Sequence, residues 1–149
     1  MRISHVIVFV ALLLAGCRAQ EEMRLLPVEK GTVELPLDSK ALAGSYYRGD
    51  GTGYNIYLTL QPDGTYTSEW HGCVGVYGLA AGRWNIVCNQ IVFAPSSETD
   101  MMKGHIRRLE VLKFKGDWIF VPVDPEDREF YNKRGVNRYS CYQKKDKVK

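Results

Sequence analysis

Two alternating stretches joined by a proline-glycine turn constrain this 149-residue chain most. Tyr54, Ile56, Leu58 and Leu60 alternate with Asn55, Tyr57, Thr59 and Gln61, the period of two expected of a half-buried strand. Gln61-Pro62-Asp63-Gly64 follows as a turn, with proline holding φ and glycine free to take positive φ. The next stretch, Thr65 to Cys73, places Tyr66, Ser68 and Trp70 on one face and Thr67, Glu69, His71 and Cys73 on the other. Together they predict an antiparallel hairpin, and so a chain built from strands.

The flanking sequence keeps that grammar. Asp38 is placed to cap a short helical turn from Ser39 to Leu42, with Gly44 ending it. Ser45 to Arg48 reads as a brief strand, and residues 48 to 53 as a glycine-rich link. Gly72, Gly75, Gly78 and Gly82 mark bends or close backbone approach in the strand that leads to Trp84 and Ile86. Cys88-Asn89 turns the chain into Gln90 to Ala94, and residues 95 to 100 form a polar loop. Met101 to Phe114 fits helix and strand templates about equally and is read as strand, because Lys115-Gly116-Asp117 makes a hairpin turn into Trp118 to Val121. Asp124 to Glu129 reads as a charged loop, and a last strand is expected near Asn137 to Tyr142. About eight short strands and no long helix point to an all-β fold, a small antiparallel up-and-down β-barrel, with a β-sandwich as the alternative.

The N-terminus carries a different signal. Arg2, the apolar run Val6 to Leu14 and the small residues Ala15 and Gly16 have the form of a signal peptide, and the run is too short to span a bilayer. Leu14-Ala15-Gly16-Cys17 resembles a bacterial lipobox. That resemblance implies cleavage before Cys17, palmitate-type acylation of Cys17, and a mature protein held on the membrane by several acyl chains, each buried CH₂ contributing about 0.8 kcal/mol. Arg18 stands where an aspartate would favour inner-membrane retention in enterobacterial lipoproteins, so the resemblance implies the outer membrane, facing the periplasm. The expected organisation is a signal peptide at 1–16, a lipidated cysteine and tether at 17–41, a barrel domain at 42–143 and a basic tail at 144–149.

Without Arg2 the 20 basic residues become 19 against 17 acidic ones, too near neutral to indicate nucleic acid. Cys73, Cys88 and Cys141 would then lie in an oxidising compartment, where at most one internal bridge can form. Cys73 sits at one end of the 65–86 hairpin and Cys88 beyond the other, so a Cys73–Cys141 disulfide bond is expected, with Cys88 free.

Pro62-Asp63-Gly64-Thr65-Tyr66, Gly82-Arg83-Trp84 and Ile91-Val92-Phe93 resemble the strand pattern of small lipocalin-like barrels of envelope lipoproteins. The resemblance covers about a third of the chain and implies a barrel able to hold a small apolar or amphipathic ligand. Aromatic side chains line such mouths, and Tyr54, Tyr66, Trp70 and Trp84 are the ligand-binding candidates.

Other constellations are weaker. His71, Cys73 and Glu69 share a strand face and, with Met101, Met102 and His105, offer ligands suited to copper, but the spacing matches no standard metal motif. Arg48-Gly49-Asp50 is the tripeptide that integrins recognise, and its glycines are followed by a strand, not by the helix of a phosphate loop. Asp124, Glu126, Asp127 and Glu129 lack calcium-loop spacing, and Ser68, Ser96, Ser97 and Ser140 lie in no nucleophile motif. The expectation is a non-enzymatic envelope lipoprotein without cofactor that carries a small ligand. The alternative is an interaction, inhibitor or structural module with a packed barrel, meeting an envelope protein through residues 48–53 and 95–104.

Overall fold

The structure is a computed structural model that describes residues 28–147; the signal peptide and Cys17 lie outside the described residues. Eight antiparallel strands close into an up-and-down barrel in chain order. They are β1 (Gly44–Gly49), β2 (Asn55–Leu60), β3 (Thr65–Gly72), β4 (Gly75–Val87), β5 (Gln90–Glu98), β6 (Arg108–Phe114), β7 (Asp117–Pro122) and β8 (Tyr142–Lys144). The barrel therefore replaces the sandwich alternative. Closure rests on the short β8, where Tyr46 faces Lys144 and Tyr47 faces Gln143 on one side, and Ile119 faces Gln143 and Phe120 faces Tyr142 on the other.

The β2–β3 hairpin has the register its alternation predicts, from Asn55 opposite His71 to Leu60 opposite Tyr66. Its turn is built locally. Gly64 takes φ 82°, and the Asp63 carboxylate accepts from Thr65 N at 2.9 Å and Thr65 Oγ1 at 2.7 Å. Inward residues of successive strands fill the barrel: Tyr46, Ile56, Leu58, Leu60, Tyr66, Trp84, Ile91, Phe93, Leu109, Val111, Phe120 and Tyr142 form one buried cluster. The entrance to the domain also follows its sequence. Asp38 accepts from Lys40 N at 3.0 Å to cap α1 (Ser39–Leu42), which buries Leu42 completely.

Four segments differ from the sequence reading. Strand β5 continues through Pro95 to Glu98, where a polar loop is expected, because a bulge opposite Gly82 lets the chain keep pairing with β4. Residues 101–107 are not strand. A 3₁₀ turn at Asp100–Met102 folds Met102 into the barrel, and β6 begins only at Arg108. This segment lies directly on β4, since a Cβ at Gly78 would stand 2.7 Å from Thr99 O and 2.8 Å from Met102 N. The charged stretch after Asp124 is a helix, α2 (Pro125–Arg134), and the chain beyond it turns at 137–141, so β8 starts at Tyr142. Helix signals are present: Asp124 caps Glu126 N, proline stands in the first turn, and Gly135 ends it at φ 67°. The helix lacks an apolar stripe, so periodicity misses it.

Helix α2 packs outside the barrel. Tyr131 joins Leu112, Ile119, Val121 and Cys141 in a second cluster on the outward face of β6–β8. Residues 29–34 run over the same region. Thr32 bridges Lys113, Gly31 N donates to Tyr131 Oη at 3.0 Å, and Lys115 holds Glu29 at 3.0 Å.

The expected Cys73–Cys141 bridge is not formed, and Cys73, Cys88 and Cys141 are free thiols. The reason is placement. Cys73 is exposed at the β3–β4 turn, whereas Cys141 is buried in the outer cluster with its thiol directed at Asn137 O, 3.3 Å away.

Candidate functional site

Alternation along β1 turns Tyr46 and Arg48 inward, and Arg48 comes at the end where the β1–β2, β3–β4, β5–β6 and β7–β8 connections meet. A charge there needs a partner. Arg48 is 3% exposed and reaches the first turn of α2, where it forms a fork with Asp127: one nitrogen donates to Oδ2 at 2.8 Å and the other to Oδ1. Its Nε donates to Tyr139 O at 3.0 Å. Burial opposes the charge, but the Asp127 hydrogen bonds and the neighbouring Tyr142 and Tyr54 outweigh it, and the guanidinium is held still more firmly protonated. The pair ties the N-terminal end of α2 across the barrel mouth.

Aromatic rings surround the guanidinium. Tyr54 lies 5.5 Å from it and Tyr142 6.0 Å, both within cation–π range. Tyr54 meets Trp70 edge-on at 4.9 Å, and Trp70 meets His105 at 4.9 Å. His105 is carried by the turn that follows Met102, its N donating to Met102 O at 3.2 Å. Burial first, and Arg48 second, push His105 below its usual value, so the imidazole is neutral at pH 7. Burial pushes Tyr54 up to about 12 and Tyr142 further, keeping both as phenols.

Between the 104–109 segment and α2 lies a pocket of about 270 Å³, walled by His105, Leu109, Pro122 and Asp127 and floored by Arg48 and Tyr142. It opens into a wider groove of about 640 Å³ bounded by Tyr54, Glu126, Phe130 and Tyr139. Among the described residues, Trp70 Nε1, Tyr142 Oη and, deeper, Tyr66 Oη are buried in the interior without a hydrogen bond. An indole nitrogen only donates, so a group that satisfies Trp70 must bring an acceptor. The mouth thus offers an apolar and aromatic wall above the Arg48 guanidinium and the Tyr142 hydroxyl.

The four aromatic candidates all point inward, but they do not assemble. Tyr54 lines the groove and Trp70 stands behind it. Tyr66 is core, packed on Phe93 at 4.7 Å, and Trp84 closes the opposite end, its Nε1 donating to Gln61 O at 3.1 Å. Of the side chains that shape the pocket, Arg48 and Tyr142 are not ligand candidates from the sequence, and His105 and Asp127 enter that reading only as metal ligands. For Arg48 the signal existed, since Tyr46 and Arg48 stand two apart on a strand and share a face. Because Arg48 is buried, Arg48-Gly49-Asp50 is not displayed as a recognition tripeptide.

The soft-ligand set also falls apart. His71 lies on the outer face, with Nε2 2.8 Å from Glu69 Oε2 and its ring on Tyr57, while Met102 and His105 turn inward. Among the described residues no three histidine, cysteine or acidic side chains gather as a metal site. No described helix is long and apolar enough to cross a membrane.

The closed eight-strand barrel is consistent with the lipocalin-like resemblance in architecture. Comparison with known proteins finds no matching family model, no matching curated protein and no matching solved structure.

Proposed function

We propose that this chain is a non-enzymatic lipoprotein of the bacterial envelope, anchored through Cys17 in the outer membrane and facing the periplasm, whose barrel mouth binds a small amphipathic molecule. The observation that carries the ligand reading is the pocket floored by Arg48 and Tyr142, whose lining includes the buried Tyr142 hydroxyl, an atom without a hydrogen bond. Such a group costs about 1–3 kcal/mol when unsatisfied, a cost that a ligand polar atom offsets. The packed interior restricts the ligand to the mouth, so a short chain or a single ring fits better than a long acyl chain. The anchor reading rests on the N-terminal sequence, the apolar run Val6 to Leu14 followed by the lipobox.

Native mass spectrometry of residues 18–149, taken from the periplasm and purified gently, tests the ligand reading. A small molecule that is retained, lost on denaturation, and lost from a Tyr54→Ala variant supports it. A bare mass from folded protein, together with unchanged tryptophan fluorescence on adding decanoate or decylamine, refutes it. The packed interior also suits an interaction module, and that outcome would favour it. The anchor is tested separately by the mass of the mature chain and by release of a Cys17→Ser variant from membranes.

A further inference from the structure

Exposed apolar side chains are distributed unevenly over the barrel. In residues 44–144 eight large hydrophobic residues are exposed, and seven lie around the mouth: Val74, Val76, Leu79 and Met101 on one side, Val123, Phe130 and Tyr139 on the other. Only Val87 lies at the opposite end. Val74 is 87% exposed at the tip of the β3–β4 turn, and Met101 is exposed on the 3₁₀ turn that rests on Gly78 of the same β4 strand. By strand order β4 and β8 face each other across the barrel, so the two groups flank the opening. A protein interface concentrates apolar area in one contiguous core with a polar rim. Here protruding side chains flank an opening, with Lys103 exposed on the segment that carries Met101, the arrangement suited to shallow insertion among lipid headgroups.

The tether decides the occupant. Ten residues lie between Cys17 and Val28, a span of about 40 Å at most when extended. Val28 lies against Gly135, at the end of α2, and the ten-residue helix brings its other end to the mouth, about 15 Å away. A chain anchored at Cys17 can therefore lay its mouth on the membrane that holds it. We propose that the apolar crown of Val74, Val76, Leu79 and Met101, with Phe130 and Tyr139 opposite, docks on the bilayer surface, so that the pocket opens towards lipid and takes its ligand from there. This inference rests on the Cys17 anchor proposed above.

The two exposed thiols are native reporters for the test, since Cys73 sits in the crown and Cys88 at the far end. Mature lipidated protein, as Cys88→Ser and separately as Cys73→Ser, is labelled without denaturation with a polarity-sensitive fluorophore. It is then reconstituted in phosphatidylethanolamine–phosphatidylglycerol vesicles whose acyl chains carry bromine. We expect the label at Cys73 to be quenched by bromolipid several-fold more than the label at Cys88, and the label at Cys88 to be quenched by aqueous iodide. Val74→Asp with Met101→Asp should abolish quenching at Cys73 while the protein still floats with the vesicles and keeps its far-ultraviolet spectrum. Floating protein whose Cys73 is as open to iodide as Cys88 overturns the docking inference, leaves the anchor intact, and assigns the crown to a protein partner. Quenching that survives the double substitution overturns it too. Protein that fails to float overturns the anchor and the inference together.

Discussion

Asp127→Leu leaves a nearly buried guanidinium that meets water only through the pocket it floors. The two partners are unequally buried, the Arg48 side chain being 4% exposed and Asp127 31%, so the cost of separating them depends on which is removed. Breaking a buried pair and stranding its charge costs roughly 3–5 kcal/mol, and partial exposure of Asp127 places this case at the low end, about 3 kcal/mol. Arg48→Met strands only a carboxylate that water already reaches, while the methionine stem keeps most of the packing. The main loss is then the hydrogen bond to Tyr139 O, about 1–2 kcal/mol. Replacing both residues removes the stranded charge and should recover most of the loss in Asp127→Leu. Glu126→Gln controls for a lost charge in the first turn of α2, which by itself contributes about 0.3–1 kcal/mol. Urea unfolding followed by tryptophan fluorescence reads the series. At an m value of about 2 kcal/mol per molar, Asp127→Leu should lower the midpoint by about 1.5 M and Arg48→Met by less than about 1 M. Equal shifts, or Arg48→Met the worse of the two, would refute the picture of a buried charge held by a half-exposed partner.

Three further outcomes follow from the geometry. Gly78→Ala drives a methyl group into Thr99 O and Met102 N, and should cost about 1–3 kcal/mol while loosening the 99–107 segment in hydrogen exchange before the rest of the barrel; protection unchanged there would contradict the close approach. His105 has its pKa depressed in the folded chain, so between that value and the usual 6.5 the unfolded chain binds more protons, and stability should fall as pH drops through 6.5 and level off below the folded value. His105→Gln should flatten that dependence in unfolding curves between pH 7.5 and 5; an equal fall in the variant would remove His105 as its source. An aromatic disulfide reagent should titrate Cys73 and Cys88 in native protein and Cys141 only after denaturation, whereas a Cys73–Cys141 linked peptide in a non-reduced map would overturn the free-thiol arrangement.

Local chemistry made the hairpin legible. Alternation over Asn55–Leu60 and the Asp63-Gly64 turn operate over a few residues, and a one-residue slip in register would turn Ile56, Leu58 and Leu60 out to water. Asp38 capping α1 is a signal of the same short range. Helix α2 escapes a reading by periodicity although its caps are present, because a helix that buries only Tyr131 shows no apolar period. The expected bridge failed for a related reason. Spacing along the chain says where Cys73 and Cys141 come in order, and not that one faces solvent at a hairpin tip and the other an outer cluster.

By itself the sequence determined the strand periodicity, the turn at 61–64, the capped turn before the barrel, and therefore an all-β chain. Each is a contest between burial and backbone preference settled within one or two elements. Tertiary structure alone decided that Arg48 turns into the barrel and finds Asp127, 79 positions away, that Tyr142 closes the barrel beneath it, and that the segment carrying His105 folds across β4. Those choices depend on which charges and rings meet when the sheet closes. Because the pocket is made at that closure, its residues are scattered in sequence and adjacent only in space.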